Sequence, residues 1–205
     1  MEVYVQGIKP AIQPDLDRIL CSGESAGGWL AIQSAITQPY GSIRAFIPSY
    51  PLVDLEAHWF TKAFTKAPFG TPMLDPTIID SHVNSMIPST IISDVEPPAR
   101  MPLAITILQQ GRFPEFLGFD PRLYPMKTIE TLDRFPFTFI FHGADDSAVP
   151  VEGSQKFASR IRQKFSEDVV HIYIGPGEHG FDSNATLETG WLKEGLDKVS
   201  SLWLK

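Results

Sequence analysis

The sequence predicts an α/β domain whose mostly parallel sheet is covered by helices on both faces. Three observations carry this expectation. Short apolar runs at residues 18–22, 43–48, 137–142 and 169–174 have the length and continuity of strands buried on both sides. Amphipathic helical stretches follow the first, third and fourth of them. Glycine-bearing loops follow the same three, at strand C-terminal ends, where open α/β sheets build their sites.

Taken in order, RILCS at 18–22 runs into Gly23-Glu24-Ser25-Ala26-Gly27-Gly28. The helix behind it places Trp29, Ile32 and Ile36 on one side and stops at Pro39. IRAFIP at 43–48 is the second strand and FTFIFH at 137–142 the third. VVHIYI at 169–174 is the fourth, after a helix in which Phe157, Ile161 and Phe165 recur every four residues. A last helix from about Ala185 carries Leu192, Leu196, Val199 and Trp203 on one stripe. Residues 51–134 break this rhythm with prolines, aromatics and one good helix, MPLAITILQQ, which has Pro102 in its first turn and Gly111 past its end. So long a connection between two strands reads as an insertion packed over the sheet, such as a lid. Residues 1–205 are thus one domain, with a core at 1–50 and 135–205 and an insertion at 51–134.

Composition narrows the function classes. The 205 residues are 43% hydrophobic and 20% charged, as in ordinary globular domains. A net charge of -7 argues against a nucleic-acid partner. The single cysteine, Cys21, makes no internal disulfide, fits a reducing compartment and is expected to pack in the sheet. MEVYVQGIKPAIQPD has neither the basic n-region nor the long apolar h-region of a secretory signal, and no stretch has the length of a membrane span. A cytoplasmic location is the expectation.

Gly23-Glu24-Ser25-Ala26-Gly27 matches the nucleophile elbow G-x-S-x-G. A strand must turn sharply into a helix there, so glycines flank the serine and let backbone approach without Cβ clashes. The Ala26 N–H, at the helix start, is a donor for a developing oxyanion. A serine hydroxyl needs a base, and the base an orienting acid. His179, in Gly175-Pro176-Gly177-Glu178-His179-Gly180-Phe181, and Asp146, in His142-Gly143-Ala144-Asp145-Asp146-Ser147-Ala148-Val149-Pro150, both follow strands. Asp145 competes with Asp146; the position four before Pro150 is preferred. Asp182 is assigned to its loop, and His58, His82 and His171 to structure. His142 sits beside two aspartates, but no further His or Cys at ligand spacing supports a metal.

With the order Ser25, Asp146, His179 and the segments GESAGG, HGADDSAVP and EHGF, the chain from about Asp15 onward resembles the hormone-sensitive-lipase-like branch of the α/β-hydrolases, the alpha/beta hydrolase fold-3 esterases and lipases. The resemblance implies Ser25 as nucleophile, Asp146 as acid and His179 as base. It also implies carboxylic-ester hydrolysis through an acyl-enzyme, a small-molecule ester substrate and no cofactor or metal. Phe113, Phe116, Phe119 and Tyr124 are expected to line its apolar pocket. Glu24 departs mildly, since many members of the branch carry aspartate there. The sequence has no His-Gly-Gly-Gly-type oxyanion loop, and only 24 residues precede Ser25. The expectation is therefore a fold lacking its N-terminal strands, with residues 18–22 at an open edge available for self-association. Two alternatives stand beside the esterase: a non-catalytic remnant that binds a ligand or partner, and a serine peptidase of the prolyl-oligopeptidase type.

Overall fold

The structure, a computed structural model, describes residues 13–91, 95–96 and 98–205. Most of the N-terminal stretch read for a secretory signal, and parts of the core segment 1–50 and of the insertion, lie outside the described residues.

Among the described residues four strands, β1 (Ile19–Glu24), β2 (Ile43–Ser49), β3 (Phe137–Gly143) and β4 (Val170–Gly175), form one sheet in the order β1-β2-β3-β4, every neighbouring pair parallel. Helices α1 (Ala26–Thr37), α7 (Val151–Lys164) and α8 (Gly190–Trp203) belong to the sheet core. The connection from β2 to β3 carries α2 (His58–Thr61), α3 (Thr77–Ser85), α4 (Met101–Gln109), α5 (Phe113–Leu117) and α6 (Pro125–Thr128). The last helix begins five residues later than its sequence pattern suggests. Residues 182–189 form turns instead, with Ala185 N–H donating to Asp182 O and Thr189 N–H to Thr186 O.

Strand alternation explains why both faces are apolar. Along β3, Phe139 and Phe141 point to one side and pack with Ala45, Ile47 and Val199 of α8. Ile140 points to the other and joins Ile32 of α1 with Phe157 and Ile161 of α7. Each such side chain, fully buried, contributes about 1.5–3 kcal/mol. The close approach of α8 requires Gly195, because a Cβ there would stand 2.0 Å from the Phe139 ring. Cys21 is half-buried against Ala31 and Phe46, which places it in the sheet packing as expected.

Two features position the site. The register sets Glu24 opposite Ser49, Ser49 opposite Phe141 and Gly143 opposite Gly175, so the loops after β1, β3 and β4 emerge at one end of the sheet. The insertion caps that end: Leu52, Leu55, Phe60 and Tyr124 are buried with Ala148 and Val149, against Trp29 and Phe113. Trp29 Nε1 donates to Leu123 O and Trp59 Nε1 to Ala148 O, both at 2.9 Å. Among the described residues β1 is an edge strand, hydrogen-bonded to β2 alone.

Candidate active site

Ser25 stands between β1 and α1 with φ 54° and ψ -118°, a left-handed conformation in a non-glycine residue. Such a backbone costs on the order of 1–3 kcal/mol and persists only where its surroundings over-determine it. Here Ser25 N–H donates to Ser49 O at 2.9 Å, and Ser25 O accepts from Trp29 N–H at 3.2 Å and Leu52 N–H at 3.3 Å. Gly23 and Gly28 are demanded sterically, whereas Gly27, the second glycine of the elbow motif, has open space where a Cβ would stand. A Cβ on Gly23 would lie 2.2 Å from Gly27 O, and one on Gly28 would lie 2.8 Å from Pro51 Cβ. Ala26 opens α1, so its N–H is one of the donors that the helix's own ladder leaves free.

Asp146 and His179 come together. His179 Nδ1 donates to Asp146 Oδ2 at 2.7 Å, across the loops that leave β3 and β4. The Asp146 side chain is fully buried. Its Oδ1 accepts the N–H groups of Ala148 at 2.9 Å and Val149 at 2.8 Å. Burial pushes the carboxyl up, but hydrogen bonds from His142, His179 and the Val149 N–H outweigh it and hold the group well below the usual carboxylate range. Asp145, the competitor, is exposed, and its Oδ2 accepts from Gly177 N–H at 3.0 Å, tying the two loops. Ser25 makes no side-chain hydrogen bond to His179 in this structure. The two are linked by shared neighbours: Phe69 packs its ring 5.2 Å from that of His179 and lines the cavity that contains Ser25.

Comparison with known proteins agrees with this architecture. The chain is 29% identical over 196 residues to the probable carboxylesterase M8 of Phoma sp., covering 93% of this chain and 61% of that protein. It is 30% identical over 142 residues to the probable carboxylesterase clz11 of Cochliobolus lunatus, covering 67% and 65%. No protein-family model matches. Among solved structures, a protein with unknown function from Staphylococcus aureus superposes with a TM-score of 0.62 at 19% identity, covering 90% of this chain and 65% of that one. A truncated carbohydrate esterase from gut microbiota gives 0.52 at 17%, covering 90% and 59%. The chain has the α/β-hydrolase fold and carboxylesterase relatives. It spans less than two thirds of the length of those curated relatives, 61% and 65%.

Beside Ser25 the chain holds a cavity of about 270 Å³, lined among others by Ala26, Leu52, Phe60, Ile105, Leu108 and Phe113. This corrects the expected pocket. Of the four aromatics read for that role only Phe113 reaches the cavity. Phe116 and Phe119 are exposed, and Tyr124 is buried with its hydroxyl donating to Gly118 O. A five-residue helix α5 turns the later side chains away, and periodicity over so short a stretch carries no direction. A larger hollow, about 410 Å³, lies beside Pro39, Tyr40 and Arg134 and touches none of these residues.

Three further residues shape the site without having been legible as such. Glu178 Oε2 accepts from Ser147 N–H and from His179 N–H, each at 3.0 Å, and so bridges the loops that follow β3 and β4. Tyr50, buried just after β2, packs against His179. His142 is buried in β3 beside Asp146. The adjacency of HG to D in HGADDSAVP was the available signal for His142. The remaining histidines stand apart: the exposed His58 in α2, His82 in α3 beside Arg100, and His171 against Phe139.

Proposed function

We propose that the protein is a serine hydrolase of carboxylic esters, with Ser25 as nucleophile, His179 as general base and Asp146 as the orienting acid. The observation that carries this reading is the buried Asp146 carboxylate bonded to His179 Nδ1 at the sheet end where Ser25 is held in a strained turn. Because Nδ1 carries the proton donated to Asp146, Nε2 is the ring's basic nitrogen and takes the Ser25 proton as Oγ attacks the ester carbonyl. The tetrahedral oxyanion is stabilised by the Ala26 N–H at the start of α1. The imidazolium then protonates the leaving alcohol, and water attacks the acyl-enzyme by the same route reversed, releasing the acid.

The substrate class follows from the cavity. Leu52, Phe60, Ile105, Leu108 and Phe113 offer no charge to a ligand, so an ester with an apolar acyl or alcohol arm suits it. The insertion that supplies most of these residues serves as the lid. Esterase relatives and the segments GESAGG, HGADDSAVP and EHGF together support placement in the hormone-sensitive-lipase-like branch. A second reading, a ligand-binding member without turnover, is favoured by the open Ser25–His179 pair; catalytic hydrogen bonds commonly close only with substrate present.

The test is hydrolysis of p-nitrophenyl butyrate and octanoate by the purified protein beside Ser25→Ala. Turnover lost in the variant supports the esterase; equal background rates from two folded proteins select the ligand-binding reading.

A further inference from the structure

His142 is the one fully buried histidine of the site, with 0% exposure, and the triad chemistry leaves it unused. Its ring bridges three elements. Nδ1 lies 2.8 Å from Ser154 Oγ in the first turn of α7. Nε2 lies 2.9 Å from Val149 O and 3.0 Å from Asp146 Oδ2, the oxygen that also accepts from His179. Two acceptors face Nε2, so the proton must sit there, and Nδ1 then accepts the Ser154 hydroxyl proton. A neutral ring in this single tautomer satisfies every partner.

The contact set is specific to the turn that carries Asp146. Ala148 and Val149 present their N–H groups to Oδ1, while His142 takes the Val149 carbonyl and approaches Oδ2. Without the ring, the Val149 carbonyl and one edge of the carboxylate would be left in a dry interior, and the carboxylate could rotate away from His179.

We propose that His142 is a positioning residue of the site: its Nε2–H, shared between Val149 O and Asp146 Oδ2, fixes the carboxylate that holds His179. The proposal rests on the triad assignment above for its kinetic consequence, and its structural part is read without substrate.

The charged groups around His179 are Asp146, Glu178 and Asp182, with Tyr50 packed on the ring. Removing the His142 donor leaves the Asp146 carboxylate held by the Ala148 and Val149 N–H groups and by His179 alone, free to turn off the geometry that orients the base.

Nitrogen-15 NMR of the wild-type full chain should show His142 neutral and protonated on Nε2. A proton on Nδ1 alone overturns the proposal, whatever the protein hydrolyses. In His142→Phe, kcat should fall about 10²-fold with KM little changed, the scale set by misplacing a catalytic group. His142→Gln, which keeps an N–H, should recover much of the rate. Ser154→Ala should lower kcat the same way by less. An unchanged kcat in His142→Phe, or Gln behaving like Phe, contradicts the role. An inactive wild type with the expected tautomer would sink the esterase reading and leave the clamp standing.

Discussion

Tyr50 sets its ring against that of His179, with centroids 4.5 Å apart and planes inclined at 60°. The residue has φ 36°, is buried, and donates its own N–H to Phe141 O at 2.8 Å, so backbone and ring are both fixed. Burial raises its phenol, and hydrogen bonding to Glu24 and the nearby Asp182 charge raise it further. The hydroxyl therefore stays protonated beside the two carboxylates while the ring backs the imidazole. Tyr50→Ala should lower kcat about tenfold or more by freeing His179. Tyr50→Phe, which keeps the ring, should retain most of the rate. Equal kinetic losses in both would show that the hydroxyl, not the ring, acts on His179.

Asp146 gives a signed pH dependence. Its folded-state pKa is depressed, so its contribution to stability is present above the unfolded value, about 3.9, and is lost as pH falls toward the folded value. The stability gap between wild type and Asp146→Asn should be constant from about pH 5 to 8 and shrink below about pH 4. Denaturant unfolding at three pH values measures it. The same variant should lose about 10⁴-fold in kcat, because an amide facing Nδ1 favours the wrong tautomer.

The cavity predicts chain-length selectivity. Ala104 lines it from α4, so Ala104→Trp fills space next to Ser25 without touching Asp146 or His179. The octanoate-to-butyrate ratio of kcat/KM should fall by at least about 10–200-fold, the usual range for a single methylene excluded from an apolar pocket. An unchanged ratio would place the acyl chain elsewhere.

Stability of the core should hinge on one helical glycine. Gly195→Ala would drive a Cβ into the Phe139 ring, which is itself fully buried and cannot withdraw. Overpacking of this kind costs about 1–3 kcal/mol, and thermal unfolding of the variant would measure it.

Much of this was legible in the sequence because strands buried on both faces and a strand–turn–helix elbow have strong local signatures. All four strands lie within two residues of their apolar runs, and Asp146 rather than Asp145 meets His179. What the sequence did not disclose depends on three-dimensional direction. Phe116 and Phe119 have the composition of a pocket wall yet face solvent, because α5 ends at Leu117 and Gly118 turns the chain with φ 99°. Lys66 looks like a surface lysine, but its stem is buried and its ammonium donates to the carbonyls of Trp59, Lys62 and Leu108, joining α2 to α4. Tyr50 and Glu178 acquire their roles from neighbours on other strands, which no short motif encodes.

The central claim is that Ser25, His179 and Asp146 act as one nucleophilic unit. The most direct measurement is mass spectrometry of the protein treated with a fluorophosphonate, with His179→Ala and Ser25→Ala alongside. A single adduct on the peptide carrying Ser25, abolished in Ser25→Ala and strongly slowed in His179→Ala, is the predicted result. Labelling that is absent from the folded wild type, or that proceeds equally without His179, would contradict it.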